Sequence, residues 1–314
     1  MIAVFQSPTV SELAVFLSTP GSQEKVPGVF LIQPKGSKPA LFCVGAGPLF
    51  RPLALRLGLD QPFVGLGTVK SDLRDLPAPF RLENIATAVV RKFRRLQPRG
   101  PHFLGGWCAD GVFAYEVAQQ LSAQGEKVGL LVLFDAWNPA RWNEYSGLER
   151  SRIRLRRCVG KIERHLTNLW RLGLRETLAD YKWRLKFRSL RHRIWYSYYR
   201  FLLAGQGQID DRFRKFSKVW YFTVRDYIPK PYSERTLLIS SGPDAQRVED
   251  PGLGWSGLLI GKSEFQFVPG GHKRIFLDPN VELLANTLKR CLLDAQDMEK
   301  ENDPTAVDLM QEVK

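Results

Sequence analysis

Three side chains in this chain have types and spacing suited to nucleophilic chemistry: Cys108, Asp135 and His272. Cys108 stands in GGWCADG (105–111), after PHFL and before VFAYEVAQQL. A short apolar run enters a glycine-flanked turn, and a helical pattern leaves it. That is the nucleophile-elbow arrangement G-x-S-x-G with Cys at the nucleophile position. Gly106 lies two residues before the thiol and Gly111 three after it. Glycine is required there because the helix packs close to the strand. The turn puts Cys108 at a helix N-terminus, where the positive end of the dipole favours a thiolate. Asp110 departs from the pattern. Its carboxylate suits a first helical turn, but its charge opposes thiolate formation at Cys108. The ordinary alternative is a small buried thiol in a turn.

A free thiol with a pKa of about 8.5 is only about 3% thiolate at neutral pH. It needs a base, and the base needs an orienting acid. The chain has four histidines. His102 opens the run into the elbow. His165 and His192 lie in a strongly basic stretch and read as solvated surface residues. His272 sits in VPGGHKRIF, a loop whose glycines let the backbone aim the ring. Asp135 ends the run LLVLF, so it emerges at a strand's carboxyl end, where open α/β sheets bind ligands. The order nucleophile, acid, His is that of α/β-hydrolases. Taken singly, Asp135 also reads as a cap or turn residue, and His272 as a surface loop residue. Three residues in this order, each at a strand end, carry the assignment jointly.

The elements that must position them alternate. VFLIQ (29–33), ALFCVG (40–45), QPFVGLG (61–67), HFLGGW (102–107), GLLVLFD (129–135), TLLISSG (236–242) and EFQFVPGG (264–271) are apolar, β-prone runs. NIATAVVRKFRRLQ (84–97) repeats apolar residues at helical spacing, as Ile85, Val89, Phe93 and Leu96. Helices are also expected at VFAYEVAQQLSAQG and NVELLANTLKRCLLDA. Strand and helix in alternation predict an α/β fold: a mostly parallel sheet flanked by helices. The alternation stops near Pro139 and resumes near Arg235. The interval, about 141–225, reads as an inserted helical lid. Leu155, Val159, Ile162, Leu166 and Leu169 form one helix face there. The tail 296–314 is polar and is expected to fray.

Residues 141–230 hold 23 of the 46 Lys/Arg and 8 of the 32 Asp/Glu, a balance of +15 within a total of +14. One segment carries the basic character, which concerns partners rather than fold. The four cysteines, Cys43, Cys108, Cys158 and Cys291, include no Cys-x-x-Cys pair. Neither a disulfide framework nor a zinc site is expected, and no metal or bound cofactor. No signal peptide and no apolar stretch of membrane-spanning length is visible, so the expected compartment is the cytoplasm.

LFCVGAGPLFRPLALRL, GGWCADGVFAYEVAQQL, LVLFDAWNP, YIPKPYSERTLLISSG and VPGGHKRIFLDPNVELLANTL together resemble the thioesterase domains that end nonribosomal peptide and polyketide synthetases. The resemblance spans roughly residues 27–293. It implies a domain of α/β-hydrolase fold over 19–295, with the helical lid at about 141–225. It also implies a Cys108–Asp135–His272 triad, with Cys replacing the usual Ser. Two backbone N–H groups should form an oxyanion hole, one from Ala109 and the other from Gly45 or Ala46 in the VGAG turn. The N-terminal FQSPTVSELAVFL resembles the last helix of a carrier domain, with Thr9 and Glu12 as a capping box. Residues 1–18 are then the end of such a domain, the alternative being an ordinary short helix.

The expected function is release of an acyl or peptidyl chain from a phosphopantetheine carrier through an acyl-Cys intermediate, by hydrolysis, cyclisation or aminolysis. The expected partner is the carrier domain. Other readings are a generic carboxylic-ester hydrolase, and a basic binding module for nucleic acid or an anionic membrane. No nucleic-acid-binding signature accompanies the basic stretch, and its aromatic residues suit a lid equally well.

Overall fold

In the computed structural model, the residues described are 28–45, 47–67, 81–141, 148, 155, 197, 223–241 and 252–301. The expected carrier helix (1–18), most of the expected lid (141–225) and residues 302–314 lie outside them. The chain divides into two compact units. One comprises Met1–Leu76, Arg81–Asn138 and Pro229–Lys314, the other Pro77–Phe80 and Pro139–Ile228. In the second, Thr223 to Asp226 form a helical turn.

The first unit holds a seven-stranded sheet: β1 (Val29–Gln33), β2 (Leu41–Val44), β3 (Phe63–Leu66), β4 (His102–Trp107), β5 (Val128–Phe134), β6 (Thr236–Ser241) and β7 (Ser263–Val268). Their spatial order is β1-β3-β2-β4-β5-β6-β7. Only β1 runs antiparallel, against β3. All other pairings are parallel. Every residue of β5 is buried. A strand covered on both faces needs an unbroken apolar run rather than alternation, and VGLLVLF supplies it.

Among the described residues, four helices flank the sheet: α1 (Arg51–Leu57), α2 (Leu82–Leu96), α3 (Ala109–Ala123) and α4 (Asn280–Glu301). Helix α1 packs with α4, and α2 with α3. The period of two along each strand divides side chains between these layers. Leu41, Cys43, Phe103, Val132, Phe134 and Ile239 join Leu53, Leu57, Leu284 and Leu288 in the core under α1 and α4. On the other face Phe42 meets Phe93 of α2 edge to face, with ring centroids 4.8 Å apart. Burying each such Leu or Phe contributes about 1.5–3 kcal/mol.

Two features differ from the sequence reading. Helix α1 was not among the expected elements. It begins Arg51-Pro52 directly after a 3-10 turn that starts at Pro48, and at seven residues it is too short to show a helical repeat in the sequence. Helix α4 continues past Gln296, the expected start of the frayed tail, to Glu301. The reason is tertiary: the Gln296 side chain is buried and donates to Gln61 Oε1 at 3.2 Å. Among the described residues, no helix is long and apolar enough to cross a membrane, and no group of three His, Cys, Asp or Glu is placed to hold a metal ion.

Candidate active site

The parallel register brings the carboxyl ends of the strands to one edge. Trp107 of β4 pairs with Phe134 of β5, and Phe134 with Ile239 of β6. Cys108 and Asp135 therefore leave the sheet side by side. The Cys108 N–H donates to the Phe134 carbonyl at 2.9 Å, and the Asp135 N–H to the Ile239 carbonyl at 2.7 Å. Strand β2 lies between β3, which follows it, and β4. Strand order reverses there, and in open α/β sheets ligands bind at the carboxyl edge of such a switch point.

The elbow is strained as its motif demands. Cys108 has φ 57° and ψ −124°, a conformation costly for a residue with a Cβ. Asp135 also has positive φ, at 46°. Two glycines permit the turn. A Cβ on Gly106 would lie 2.3 Å from the Asp110 carbonyl oxygen, and one on Gly111 would lie 2.5 Å from Ala136 Cβ. Any side chain at either position would push α3 off β4 and β5.

Cys108, His272 and Asp135 come together. Nδ1 of His272 hydrogen-bonds to Oδ2 of Asp135. The Cys108 side chain lies close enough to the same ring to act on its protonation. With Nδ1 taken by Asp135, Nε2 is the nitrogen left for the thiol. These partners, Asp135 first and Cys108 second, push the His272 pKa up to about 9 against the opposing effect of partial burial. The Asp135 carboxylate is buried and held on both oxygens. The Ser241 N–H donates to Oδ1 at 3.0 Å, and the Ser241 hydroxyl to Oδ2 at 2.7 Å. Ser241 was read only as part of a strand. Its role was hidden because the β5–β6 register, not local sequence, sets it beside Asp135.

Of the other cysteines, Cys43 and Cys291 are buried, and burial raises both thiol pKa values. Cys158 lies outside the described residues. His102 is at the amino end of β4, fully buried, bonded to Glu126 at 2.8 Å. Burial lowers its pKa, and it stands at the edge of the sheet opposite Cys108.

The expected oxyanion donors fare differently. Ala109 is the first residue of α3, and a first-turn N–H has no acceptor within its own helix. Gly45 is not placed as expected. Its N–H donates to the Leu66 carbonyl at 2.8 Å, extending the β2–β3 ladder by one residue. Gly45 serves the turn instead, with φ 69°, and a Cβ there would stand 2.0 Å from Asp110 Oδ2. Asp110 therefore directs its carboxylate over the end of β2. Ala46 lies outside the described residues.

A family model described as "Thioesterase domain" matches residues 41–291. The chain belongs to the thioesterase-domain family. It is an enzyme of the α/β-hydrolase fold. The Dimodular nonribosomal peptide synthase of Bacillus subtilis (strain 168) is 35% identical over 138 residues, which cover 43% of this chain and 6% of that protein. Chondramide synthase cmdD of Chondromyces crocatus is 25% identical over 322 residues, covering 92% of this chain and 8% of that protein. This thioesterase matches only 2% to 8% of the length of the curated relatives it resembles. Among solved structures, the NocB thioesterase domain in covalent complex with a fluorophosphonate nocardicin G analog has a TM-score of 0.54 at 24% identity. That match covers 84% of this chain and 99% of that one, and it is a likeness of fold.

Proposed function

We propose that this thioesterase takes an acyl or peptidyl chain from the phosphopantetheine arm of a carrier domain onto Cys108 and then releases it. The observation that carries this reading is the His272–Asp135 hydrogen bond beside Cys108, which stands on a positive-φ elbow at the carboxyl edge of the sheet. Matches to nonribosomal peptide and polyketide synthases support the carrier as partner.

His272 Nε2 takes the Cys108 proton, giving the thiolate–imidazolium pair that the raised His272 pKa favours before substrate arrives, and the thiolate sulfur attacks the thioester carbonyl carbon. The oxyanion that forms takes a hydrogen bond from the Ala109 N–H. As the C–S bond to the pantetheine breaks, the imidazolium returns its proton to the leaving sulfur. Asp135 holds Nδ1–H throughout, so Nε2 is free to accept. Water, or an internal hydroxyl or amine, then attacks the acyl-Cys carbon, with His272 as base. The intermediate is itself a thioester, so the acyl group stays activated for an amine. The chemistry needs no cofactor beyond the pantetheine of the substrate, and a cytoplasmic site of action follows from that of the expected carrier.

Mass spectrometry of the intact protein after incubation with a panel of acyl-pantetheine thioesters tests this. The expected result is one acyl mass on the peptide containing Cys108. Turnover without any adduct that alkylation of Cys108 abolishes would refute the acyl-Cys route.

Ser241→Ala tests the clamp on Asp135. The carboxylate keeps the Ser241 N–H and the imidazole but loses one hydroxyl donor. A hydrogen bond to a charged group is worth about 1.5–3 kcal/mol, so acylation should slow by about 10- to 100-fold. Substrate binding should be unchanged. Single-turnover acylation across substrate concentrations reads both, and an unaltered limiting rate would mean that the Ser241 N–H alone orients Asp135.

A further inference from the structure

We infer that Trp107 is a positioning residue for His272: its indole face steadies the ring in the cationic form that catalysis creates, and its ring N–H fastens the loop that carries it. Trp107 is the last residue of β4, next to Cys108. Its ring stacks on the His272 imidazole, with centroids 4.5 Å apart and planes 29° apart. Its Nε1–H donates to the His272 backbone carbonyl at 3.2 Å. One side chain thus contacts the histidine twice, at ring and backbone, from a residue 165 positions away.

Trp107 can do this because it is itself held. The period of two along β4 puts it on the face of Phe103, toward α4. There it packs against the core and meets Phe276 edge to face, with centroids 5.8 Å apart. Phe276 in turn touches Phe50 and Phe134. The loop before Phe276 contains Gly270, at φ 104°, and Gly271. A loop built on glycines has little stiffness of its own. The indole therefore supplies a constraint that the His272 backbone lacks.

The electrostatic part follows from the stack. An aromatic face stacks on either form of the ring but attracts the cation more strongly. Asp135 from the end of β5 and the Cys108 sulfur from the elbow also favour imidazolium. Lys273 and Arg274 are the charged neighbours in the histidine's own loop, and both are exposed. The His272 side chain is 42% exposed, so water screens its ionic partners. The indole acts at contact distance on a ring face, where it also excludes water.

This inference takes His272 as the base assigned above. The electrostatic part of its test is read without substrate, so that part succeeds or fails separately from acylation of Cys108. The full chain is labelled with 15N-histidine and its four ring systems are titrated by NMR, with His272→Gln identifying the signal. Trp107→Leu should lower the His272 midpoint by about half to one pH unit. Trp107→Phe keeps an aromatic face and loses the N–H. It should leave the midpoint close to that of the native protein while slowing Cys108 acylation. Site-specific tetrafluorotryptophan at 107 keeps size and N–H but depletes the π face, and it covers the case in which the Leu variant does not fold. It should lower the midpoint as Leu does, with full acylation geometry otherwise retained. An unmoved midpoint in the tetrafluorotryptophan protein would overturn the electrostatic role. An unaltered acylation rate in Trp107→Phe would overturn the fastening role.

Discussion

Cys108→Ala should abolish acyl-enzyme formation while leaving the fold intact. The first expectation rests on chemistry. Of the described cysteines, Cys108 alone is partly exposed, and it alone stands beside a histidine that is hydrogen-bonded to a carboxylate. Loss of a nucleophile that works as part of a unit lowers the rate by about 10⁶-fold in the best-measured hydrolase of this kind. A fall of about 10⁴- to 10⁶-fold in thioester turnover is therefore expected. The second expectation rests on backbone strain. Alanine meets the same steric cost at φ 57° as cysteine does, so the exchange adds no strain at the elbow. By contrast Cys43 lies under Gly105, with its sulfur 3.1 Å from where a Cβ on that glycine would stand. Cys43→Ala should lower the melting temperature and leave the acyl adduct in place. Intact-mass measurement on both variants separates the two. An acyl mass on the Cys108→Ala protein would remove the central assignment, whatever its turnover.

Much of the site could be read from sequence because parallel sheets write their edges plainly. Each functional residue follows an apolar run, and parallel strands deliver such ends to one place. LLVLF followed by Asp135, and HFLGGW followed by Cys108, needed no knowledge of register. What escaped depends on register or distance. Ser241 reaches Asp135 because Phe134 pairs with Ile239, a match 105 residues apart that no local pattern encodes. Trp107 meets His272 only because the loop that follows β7 reaches back to the end of β4. Gly45 was a candidate oxyanion donor because of its turn, yet the β2–β3 ladder extends one residue beyond the strand and takes its N–H. Residue type and spacing singled out Cys108, Asp135 and His272 as candidates, and the structure brings them together. The groups that hold them are legible only from packing.

The second large effect concerns how the acid and base depend on one another. Asp135→Asn should do more than weaken a charge. The Ser241 N–H is a permanent donor 3.0 Å from Oδ1, so the asparagine must turn its carbonyl oxygen there. Its NH₂ then faces the Ser241 hydroxyl and His272 Nδ1. The hydroxyl adapts by accepting. The imidazole adapts by leaving Nδ1 unprotonated and moving its proton to Nε2, where it can no longer take the Cys108 proton. A loss of about 10⁴-fold is expected, as for the wrong tautomer in other triads. His272→Ala removes the base outright and should cost at least as much. If the two act through one imidazole, the double variant should be little worse than His272→Ala, because Asp135 has nothing left to orient. Asp135 is also the first cause of the raised His272 pKa. In Asp135→Asn the His272 midpoint should therefore fall from about 9 toward its ordinary value, so less imidazolium is present at neutral pH. Turnover of the four proteins and NMR titration of the two that retain His272 read both consequences. Losses that multiply in the double variant would place Asp135 in folding or in substrate contact instead of behind the base.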